Sequence, residues 1–303
     1  MIRLGTRGSA LALAQARWVG EQLPGEVELV PITTSGDEKL KVPGTLSSPG
    51  DKSRFVKEIE EGLLGGVVDL AVHSAKDVPS ELPDGLAIVG VPGRADPRDA
   101  LCGAGSLDEL AEGAVVGTSS LRRHAELLAL RPDLDIRELR GNVDTRLRRL
   151  ADGDFDAIVL AQAGLDRLRR GDEGNPLGVA TFVPAPGQGC LVLEARTGNH
   201  DIQSLASDLS DPDTLAWLAA ERAVVRALEA TCRTPIGAHC VTTDSALHLT
   251  VFVGLPDGSH WIRDELAGDR ADPSGLGAAV GERMLAAGAA ELLAEAERAA
   301  VAG

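Results

Sequence analysis

The chain has 303 residues, 44% of them hydrophobic, and its 46 acidic and 30 basic side chains give a formal charge of -16 at pH 7. That length is enough for about two or three domains, each with its own core. The negative charge repels nucleic acid and anionic membranes, and aromatic residues at 2% offer few stacking surfaces for single strands, so neither kind of partner is expected.

Targeting and metal signals are missing from the sequence. No run approaches the ~18 apolar residues of a membrane span, and MIRLGTRGSA has no apolar signal-peptide core, so we expect a cytoplasmic protein. The four cysteines are scattered without a C-x-x-C pair, which argues against a zinc site and against a disulfide framework.

Strand and helix patterns alternate through the first third of the chain, which predicts a parallel sheet with crossover helices. The long polar stretch from Ser35 to Arg54 is typical of a lid or a disordered segment. The predicted elements are strand 2–5, a helix LALAQARWVGEQL capped by Ser9, strand VELVPITT, helix FVKEIEEGLLGG and strand VVDLAVHS.

A linker near 93–96 precedes a second alternation, and a third region follows. FVPAPGQGCLVLEA predicts a return crossing with Gly187 and Gly189 as flexible points. The later predictions are strand AVVGTSS, helix LRRHAELLAL, strand DIRELR, helix VDTRLRRLADG, strand AIVLAQAG, helix LDRLRR, helix TLAWLAAERAVVRALEA, strands ALHLTVFVG and SHWIRDEL, and an Ala-rich final helix.

Three polar clusters follow predicted strands, and ligands of open parallel sheets bind at the carboxyl ends of strands. The clusters are 6–9 (TRGS), 73–77 (HSAKD) and 117–123 (GTSSLRR). We therefore expect them at the rim of a cleft between domains.

GTSSLRR allows two interpretations that the sequence leaves open. Arginines in a first helical turn oppose the helix dipole unless an anion compensates, which favours anion binding. Alternatively, Ser119 is an ordinary N-cap and Arg122 pairs with Glu126 four residues later.

The segment from Gly117 to Arg170 holds eleven arginines against nine acidic residues. Arg140, Arg146 and Arg167 end or follow strands, and such guanidinium groups suit a small ligand with several carboxylates. Four other arginines of this segment are expected on solvated helix faces: Arg148, Arg149, Arg169 and Arg170.

Three further residues can be assigned either a structural or a chemical role. Asp77 sits in a turn before Pro79, where a structural role is common, although a carboxylate there also suits a developing cation. His73, inside an apolar strand, is typical of a core histidine. Cys232 has Arg233 beside it, which favours the thiolate and makes a covalent role an open alternative.

Taken together, these motifs resemble the porphobilinogen deaminase (hydroxymethylbilane synthase) family in order from residue 2 to about 240. The matching stretches are GTRGSALALAQA, TTSGD, RFVKEIE, AVHSAKDVP, GTSSLRR, LRGNVDTRL, AGLDRL, PGQG and CRTPIG. The resemblance implies two α/β domains like type II periplasmic binding proteins and a small α+β third domain. The expected boundaries are 1–92 plus 190–207, 98–188 and 212–303.

The resemblance also implies the activity. Four porphobilinogens are condensed head to tail, with loss of ammonia, on a dipyrromethane cofactor joined by a thioether to Cys232. Asp77, aided by Lys76, would stabilise the cation formed as ammonia leaves. The expected contacts to cofactor and substrate are Arg7, Ser9, Ser74, Thr118, Ser119, Ser120, Arg122, Arg123, Arg140, Arg146, Arg167 and Gln188, and a monomer is expected.

Small departures from the family pattern leave its charged and nucleophilic positions intact. Ala230 and Thr231 stand where two glycines often precede the cysteine, and Ala75 replaces a frequent methionine. The alternative from another functional class is a two-lobed solute-binding protein that binds an anion without chemistry, but it gives no reason for the CRTPIG loop.

Overall fold

The computed structural model describes residues 1–35, 56–231 and 234–302. The predicted lid from Ser35 to Arg54 lies outside the described residues except for Ser35 itself, and so do Cys232 and Arg233. No helix of the described chain is long and apolar enough to cross a membrane.

The strands of the described residues follow one another in this order. They are β1 (Ile2–Arg7), β2 (Val27–Ile32), β3 (Leu70–Ser74), β4 (Leu86–Gly90), β5 (Asp99–Cys102), β6 (Val115–Gly117), β7 (Asp135–Arg137), β8 (Ala157–Ala161), β9 (Asn175–Pro176), β10 (Leu191–Arg196), β11 (Ile236–Thr243), β12 (Ala246–Gly254) and β13 (Trp261–Asp269).

The α-helices of the described residues lie between or after these strands, and one of the short 3-10 helices, Ala75–Asp77, directly follows β3. The helices are α1 (Ala10–Gly20), α2 (Lys57–Leu64), α3 (Leu121–Leu130), α4 (Val143–Ala151), α5 (Gln162–Arg167), α6 (His200–Ser207), α7 (Pro212–Ala227), α8 (Pro273–Ala286) and α9 (Ala289–Ala302).

The internal contacts of the chain divide it into two compact units. Unit 1 comprises Met1–Ala95 and Gly189–Leu215, and unit 2 comprises Asp96–Gln188 and Ala216–Gly303. The predicted second and third domains thus share one unit, although each has its own sheet.

Unit 1 is built on a five-stranded sheet in the order β2-β1-β3-β10-β4. Side chains alternate between the two faces of each strand. Leu4, Leu70 and Leu193 are fully buried on the face covered by α1 and α6, while Ile59 and Leu63 of α2 cover the other face. Each such leucine contributes about 1.5–3 kcal/mol relative to exposure.

The first half of unit 2 has a second five-stranded sheet, in the order β7-β6-β8-β5-β9. Its two faces bury separate clusters, one around Leu127 and Val159 and one around Leu139 and Ile158. The sheet is thereby covered on both sides, as expected for α/β domains.

The second half of unit 2 is the small α+β domain. Its antiparallel sheet β11-β12-β13 packs on α7, α8 and α9 around Val224, Leu249 and Val280. Phe252 of β12 packs with Ala125 and Val183, which joins this domain to the preceding one.

The prediction of parallel sheets is correct only in part. β10 is antiparallel to β3 and β4, and β5 is antiparallel to β8. Neither strand is reached by a crossover helix from its neighbour, so nothing forces it to be parallel. The short strands β4, β5, β9 and β11 and helix α6 were not among the sequence predictions.

The return crossing contains two residues that require glycine. Gly187 and Gly189 have φ of 72° and 88°, in the left-handed region. A Cβ on Gly189 would lie 2.5 Å from the carbonyl oxygen of Ala95. The backbones of Ala95 and Gly189 are also joined by a hydrogen bond from the Ala95 amide to the Gly189 carbonyl, at 3.2 Å.

Candidate active site

In unit 1, two of the predicted clusters lie at one sheet edge. β1 and β3 are adjacent and parallel, so the residues following them lie at the same end of the sheet. Arg7 ends β1, and Ser74, Lys76 and Asp77 end β3 or its 3-10 turn. This edge therefore carries two cations and one carboxylate among half-buried side chains.

The serines of this edge are held by α1. Ser9 is the N-cap of α1, and its hydroxyl accepts a hydrogen bond from the Ala12 amide at 3.3 Å, as predicted. Gln15 of the same helix is buried and donates to the Ser74 hydroxyl at 3.0 Å. The helix thus fixes the end of β3, a contact that the sequence did not reveal.

His73 is a buried core residue, as its apolar strand predicts. Its imidazole Nε2 lies 3.0 Å from a carboxylate oxygen of Glu194, and both side chains are at most 3% exposed. The chain turns immediately afterwards, so His73 faces the interior while Ser74, Lys76 and Asp77 are half-buried at the edge.

In unit 2, the carboxyl ends of three neighbouring strands bring the other predicted residues together. β6 is parallel to β7 and to β8. Thr118 to Arg123 follow β6, Arg140 follows β7, and Arg167 lies in α5 directly after β8. The predicted arginine-rich edge is therefore present within this unit.

Asp99 holds two arginines of this edge. It is fully buried at the start of β5, 2.8 Å from Nη2 of Arg122 and 2.6 Å from Nη2 of Arg123. The amide of Gln188 also donates to it, at 3.1 Å. All three predicted contact residues are at most 6% exposed, so a substrate carboxylate would have to reach groups that already have protein partners.

Glu126 is the second buried acid of the cluster. It accepts hydrogen bonds from Nη1 of Arg122 at 2.6 Å and from the amide of Val183 at 2.5 Å. Burial raises the pKa of Glu126 to about 8, against the opposing charge of Arg122. The predicted i, i+4 pair is confirmed, while the N-cap of α3 is Ser120 rather than Ser119.

These acids explain how arginines can occupy the first turn of α3. The helix N-terminus carries partial positive charge and disfavours cations. Ser120 caps the helix through the amide of Arg123 at 3.4 Å, the buried carboxylate of Asp99 contacts both Arg122 and Arg123, and Glu126 accepts a hydrogen bond from Arg122. The protein itself thus supplies part of the negative charge that the arginines in the first turn of α3 require.

Arg146 has a different environment. Its Nε donates to the carbonyl of Gly141 at 2.8 Å, and no carboxylate of the described residues forms an ion pair with it. Burial lowers the pKa of Arg146 to about 10, and the charge of Arg123 acts in the same direction. A bound anion would oppose both the burial effect and the repulsion by Arg123, and would therefore raise the pKa of Arg146 again.

The other arginines of the segment are held mainly by surface pairs. Arg140 lies 2.6 Å from Glu138 with its side chain 37% exposed. Arg149 pairs with Asp154, and Arg170 pairs with Asp144 and Glu173, as expected for solvated helix faces.

Asp99 is the residue that sequence reasoning missed. Its signal was an acid at the head of the apolar run DALC, since a carboxylate in a buried strand needs a cationic partner. The described cysteines, Cys102, Cys190 and Cys240, are buried, as predicted for core residues.

Comparison with known proteins agrees with this architecture. Residues 2–204 match the family model "Porphobilinogen deaminase, dipyromethane cofactor binding domain", and residues 215–286 match the model of its C-terminal domain. The chain is 46% identical to the porphobilinogen deaminase of Brevibacillus brevis, over 97% of this chain and 96% of that protein. It is 48% identical to that of Syntrophotalea carbinolica, over 97% and 95%.

Among solved structures, similarity is low. A TRAP periplasmic solute binding protein from Desulfovibrio salexigens aligns with a TM-score of 0.40 and 13% identity, over 69% of this chain and 72% of that one. The full-length relatives instead support the catalytic interpretation over the two-lobed binding protein. Both domain models and nearly the whole chain match one family, and the protein therefore belongs to the porphobilinogen deaminases.

Proposed function

We propose that this protein condenses four porphobilinogen molecules head to tail, releasing ammonia, to give the linear tetrapyrrole hydroxymethylbilane. The observation that carries the proposal is the match of residues 2–204 to the dipyrromethane cofactor domain together with near full-length identity to deaminases. The protein is accordingly a transferase with porphobilinogen as its small-molecule substrate.

Asp77 is the proposed catalytic residue. It lies on a 3-10 turn at the end of β3, half-buried, with Lys76 beside it. A carboxylate in that position stabilises the positive charge that develops on the substrate carbon as ammonia leaves. Lys76 and Arg7 would bind substrate carboxylates at the same sheet edge, with Ser9 and Ser74 as supporting hydrogen-bond donors.

The arginine-rich edge of unit 2 fits a cofactor and substrates that carry carboxylates. Arg146 supports this role most directly, because it is a half-buried cation that the charge of Arg123 repels and that has no ion pair among the described residues. Arg140 and Arg167 lie at the same edge. The remaining members of the proposed carboxylate-binding set are Thr118, Ser119, Ser120, Arg122, Arg123 and Gln188.

The dipyrromethane, when bound, supplies the pyrrole acceptor on which the chain of rings grows. Its proposed attachment is a thioether to Cys232, in a segment outside the described residues. The arginines of unit 2 would bind its carboxylates.

Intact-protein mass spectrometry tests the attachment. We expect the purified protein to exceed the sequence mass by one dipyrromethane, and Cys232→Ser to lose that increment. Cys102→Ala is the matched control, because Cys102 is buried in unit 2, and it should keep the increment. An active protein of unmodified mass would contradict the proposal.

The location, oligomeric state and macromolecular partners of the protein are inferred from the family and from the net charge. We infer a cytoplasmic monomer that binds neither nucleic acid nor membranes, since a net charge of -16 repels both. Light scattering of the purified protein checks the monomer, and a dimer mass would contradict it.

A further inference from the structure

Three buried ionisable side chains meet on the α2 face of the unit 1 sheet, and the proposed reaction does not use them. They are His73 of β3, Glu194 of β10 and Glu60 of α2, at 5%, 1% and 7% exposure, and we refer to them as the His73 cluster. Nε2 of His73 and Oε2 of Glu194 are 3.0 Å apart. Buried groups of this kind are rarely retained without partners.

The composition of the His73 cluster restricts its protonation. Two buried carboxyl groups and one imidazole are electrically neutral in two ways: an imidazolium with one carboxylate and one carboxyl group, or a neutral imidazole with two carboxyl groups. Burial raises the pKa of Glu60, and the charge of Glu194 raises it further. In either arrangement His73 and Glu194, 3.0 Å apart, form the close pair of the cluster.

Other charges near these strands are already paired elsewhere. Arg3 of β1 and Arg196 of β10 lie 2.6 Å and 3.8 Å from Asp69, just before β3. Glu58 of α2 accepts a hydrogen bond from the amide of Ser35 at 2.9 Å. The groups of the described residues that face His73 are thus Glu194 from β10 and Glu60 from α2.

The His73 cluster is directly coupled to the strand end that carries the proposed chemistry. His73 is opposite Val192, and Ser74 is opposite Leu191, in the antiparallel pair of β3 and β10. The amide of Ala75 donates to the carbonyl of Cys190 at 3.0 Å, so the pairing continues into the turn. Lys76 and Asp77 follow in that turn.

We propose that His73 is a positioning residue: its buried side-chain pair with Glu194 holds the end of β3 against β10 and so fixes Lys76 and Asp77 for the reaction. The proposal rests on the assignment of Asp77 above. Loss of either side chain would leave the other buried ionisable group without its partner, which the strand pair can relieve only by moving.

The test compares His73→Gln, Glu194→Gln and the double variant in the full-length holoenzyme. Each single variant leaves one buried ionisable group without its partner, so we expect kcat to fall by about 10–100-fold, the scale of a ~1 Å misplacement. The double variant replaces both ionisable groups and should recover much of the loss. KM for porphobilinogen should change less than kcat, because the carboxylate-binding arginines are untouched and only Lys76 moves with the turn.

The values of kcat and KM per folded molecule, rather than a pH profile, separate positioning from simple stabilisation. A displaced turn lowers kcat, whereas simple destabilisation lowers only the amount of folded enzyme. His248→Gln is the matched control, since His248 is exposed on β12, and it should behave as wild type. A wild-type kcat in His73→Gln, or losses that simply multiply in the double variant, would overturn the proposal.

Two further measurements separate the positioning role of His73 from the assignment of Asp77. Amide hydrogen exchange at Ala75, whose amide donates to the Cys190 carbonyl, should be faster in His73→Gln than in the wild type, and unchanged exchange would contradict the proposal. If Asp77→Ala retains turnover, the assignment of Asp77 fails. If Asp77→Ala is inactive while His73→Gln is normal, only the positioning role fails.

Discussion

Asp99 shows how much a single carboxylate can determine at the residue scale. It is fully buried and accepts contacts from Arg122, Arg123 and Gln188, all of which the family resemblance assigns to ligand binding. Each of these three side chains thus has Asp99 as a partner within the protein, in addition to the carboxylate ligand proposed for it. Asp99 therefore sets the position from which they would bind a substrate carboxylate.

The first prediction concerns the stability of this cluster. Asp99→Asn should destabilise the protein by about 3–5 kcal/mol, because two buried guanidinium groups would then share one acid. Asp154→Asn is the matched control, since its pair with Arg149 is half-exposed and should contribute at most about 1 kcal/mol. Urea unfolding of both variants checks the difference, and equal losses would contradict the role of Asp99.

Asp77 provides the second prediction at this scale. Asp77→Ala should fold normally and lose kcat by about 10²–10³, the effect of removing one aimed electrostatic group. Asp84→Ala removes an exposed carboxylate in the turn before β4 and should keep full turnover. Steady-state kinetics with porphobilinogen measures both, and near-normal turnover of Asp77→Ala would refute the assignment.

At the scale of elements, predictability depended on local signals. Helix α3 was predicted with its exact bounds, because its apolar spacing and serine cap are local. β5 was missed because four residues are too few to show a period, and the antiparallel direction of β10 is set by a distant part of the chain. The strand-end positions of the site residues were therefore predictable, while the partners Asp99 and Gln15 were not.

The cap of α3 gives a test at this scale. Ser120→Ala should cost about 1 kcal/mol of unfolding free energy, because its hydroxyl accepts the Arg123 amide. Ser119→Ala should cost little, since Ser119 is exposed and does not cap the helix. Chemical unfolding of the two variants distinguishes them, and a larger loss in Ser119→Ala would restore the original sequence prediction.

For the whole molecule, the family assignment and the fold agree on two α/β domains and one α+β domain. The exact domain boundaries remain a prediction, because contacts group the second and third domains into unit 2. The third domain carries the sequence around Cys232 and packs through Phe252 against residues of the second. The arginine-rich edge and the domain that contains Cys232 in its sequence are therefore parts of one compact unit.

Thiol counting tests the whole molecule. Burial raises the pKa of Cys102 to about 11, so at pH 8 it is protonated and should resist iodoacetamide, as should buried Cys190 and Cys240. Raising the pH toward 11 should increase the reactivity of Cys102. After denaturation, three of the four cysteines should be alkylated if Cys232 carries the cofactor, and alkylation of all four would contradict the thioether.

The antiparallel strand β10 has a consequence for synthesis. It lies between β3 and β4 in the sheet, yet it leaves the ribosome only after the whole arginine-rich domain has been made. Until then β4 has no partner strand and His73 has no Glu194. The nascent residues 1–95 therefore cannot complete their own sheet, and the amino-terminal unit must finish folding after its successor has emerged.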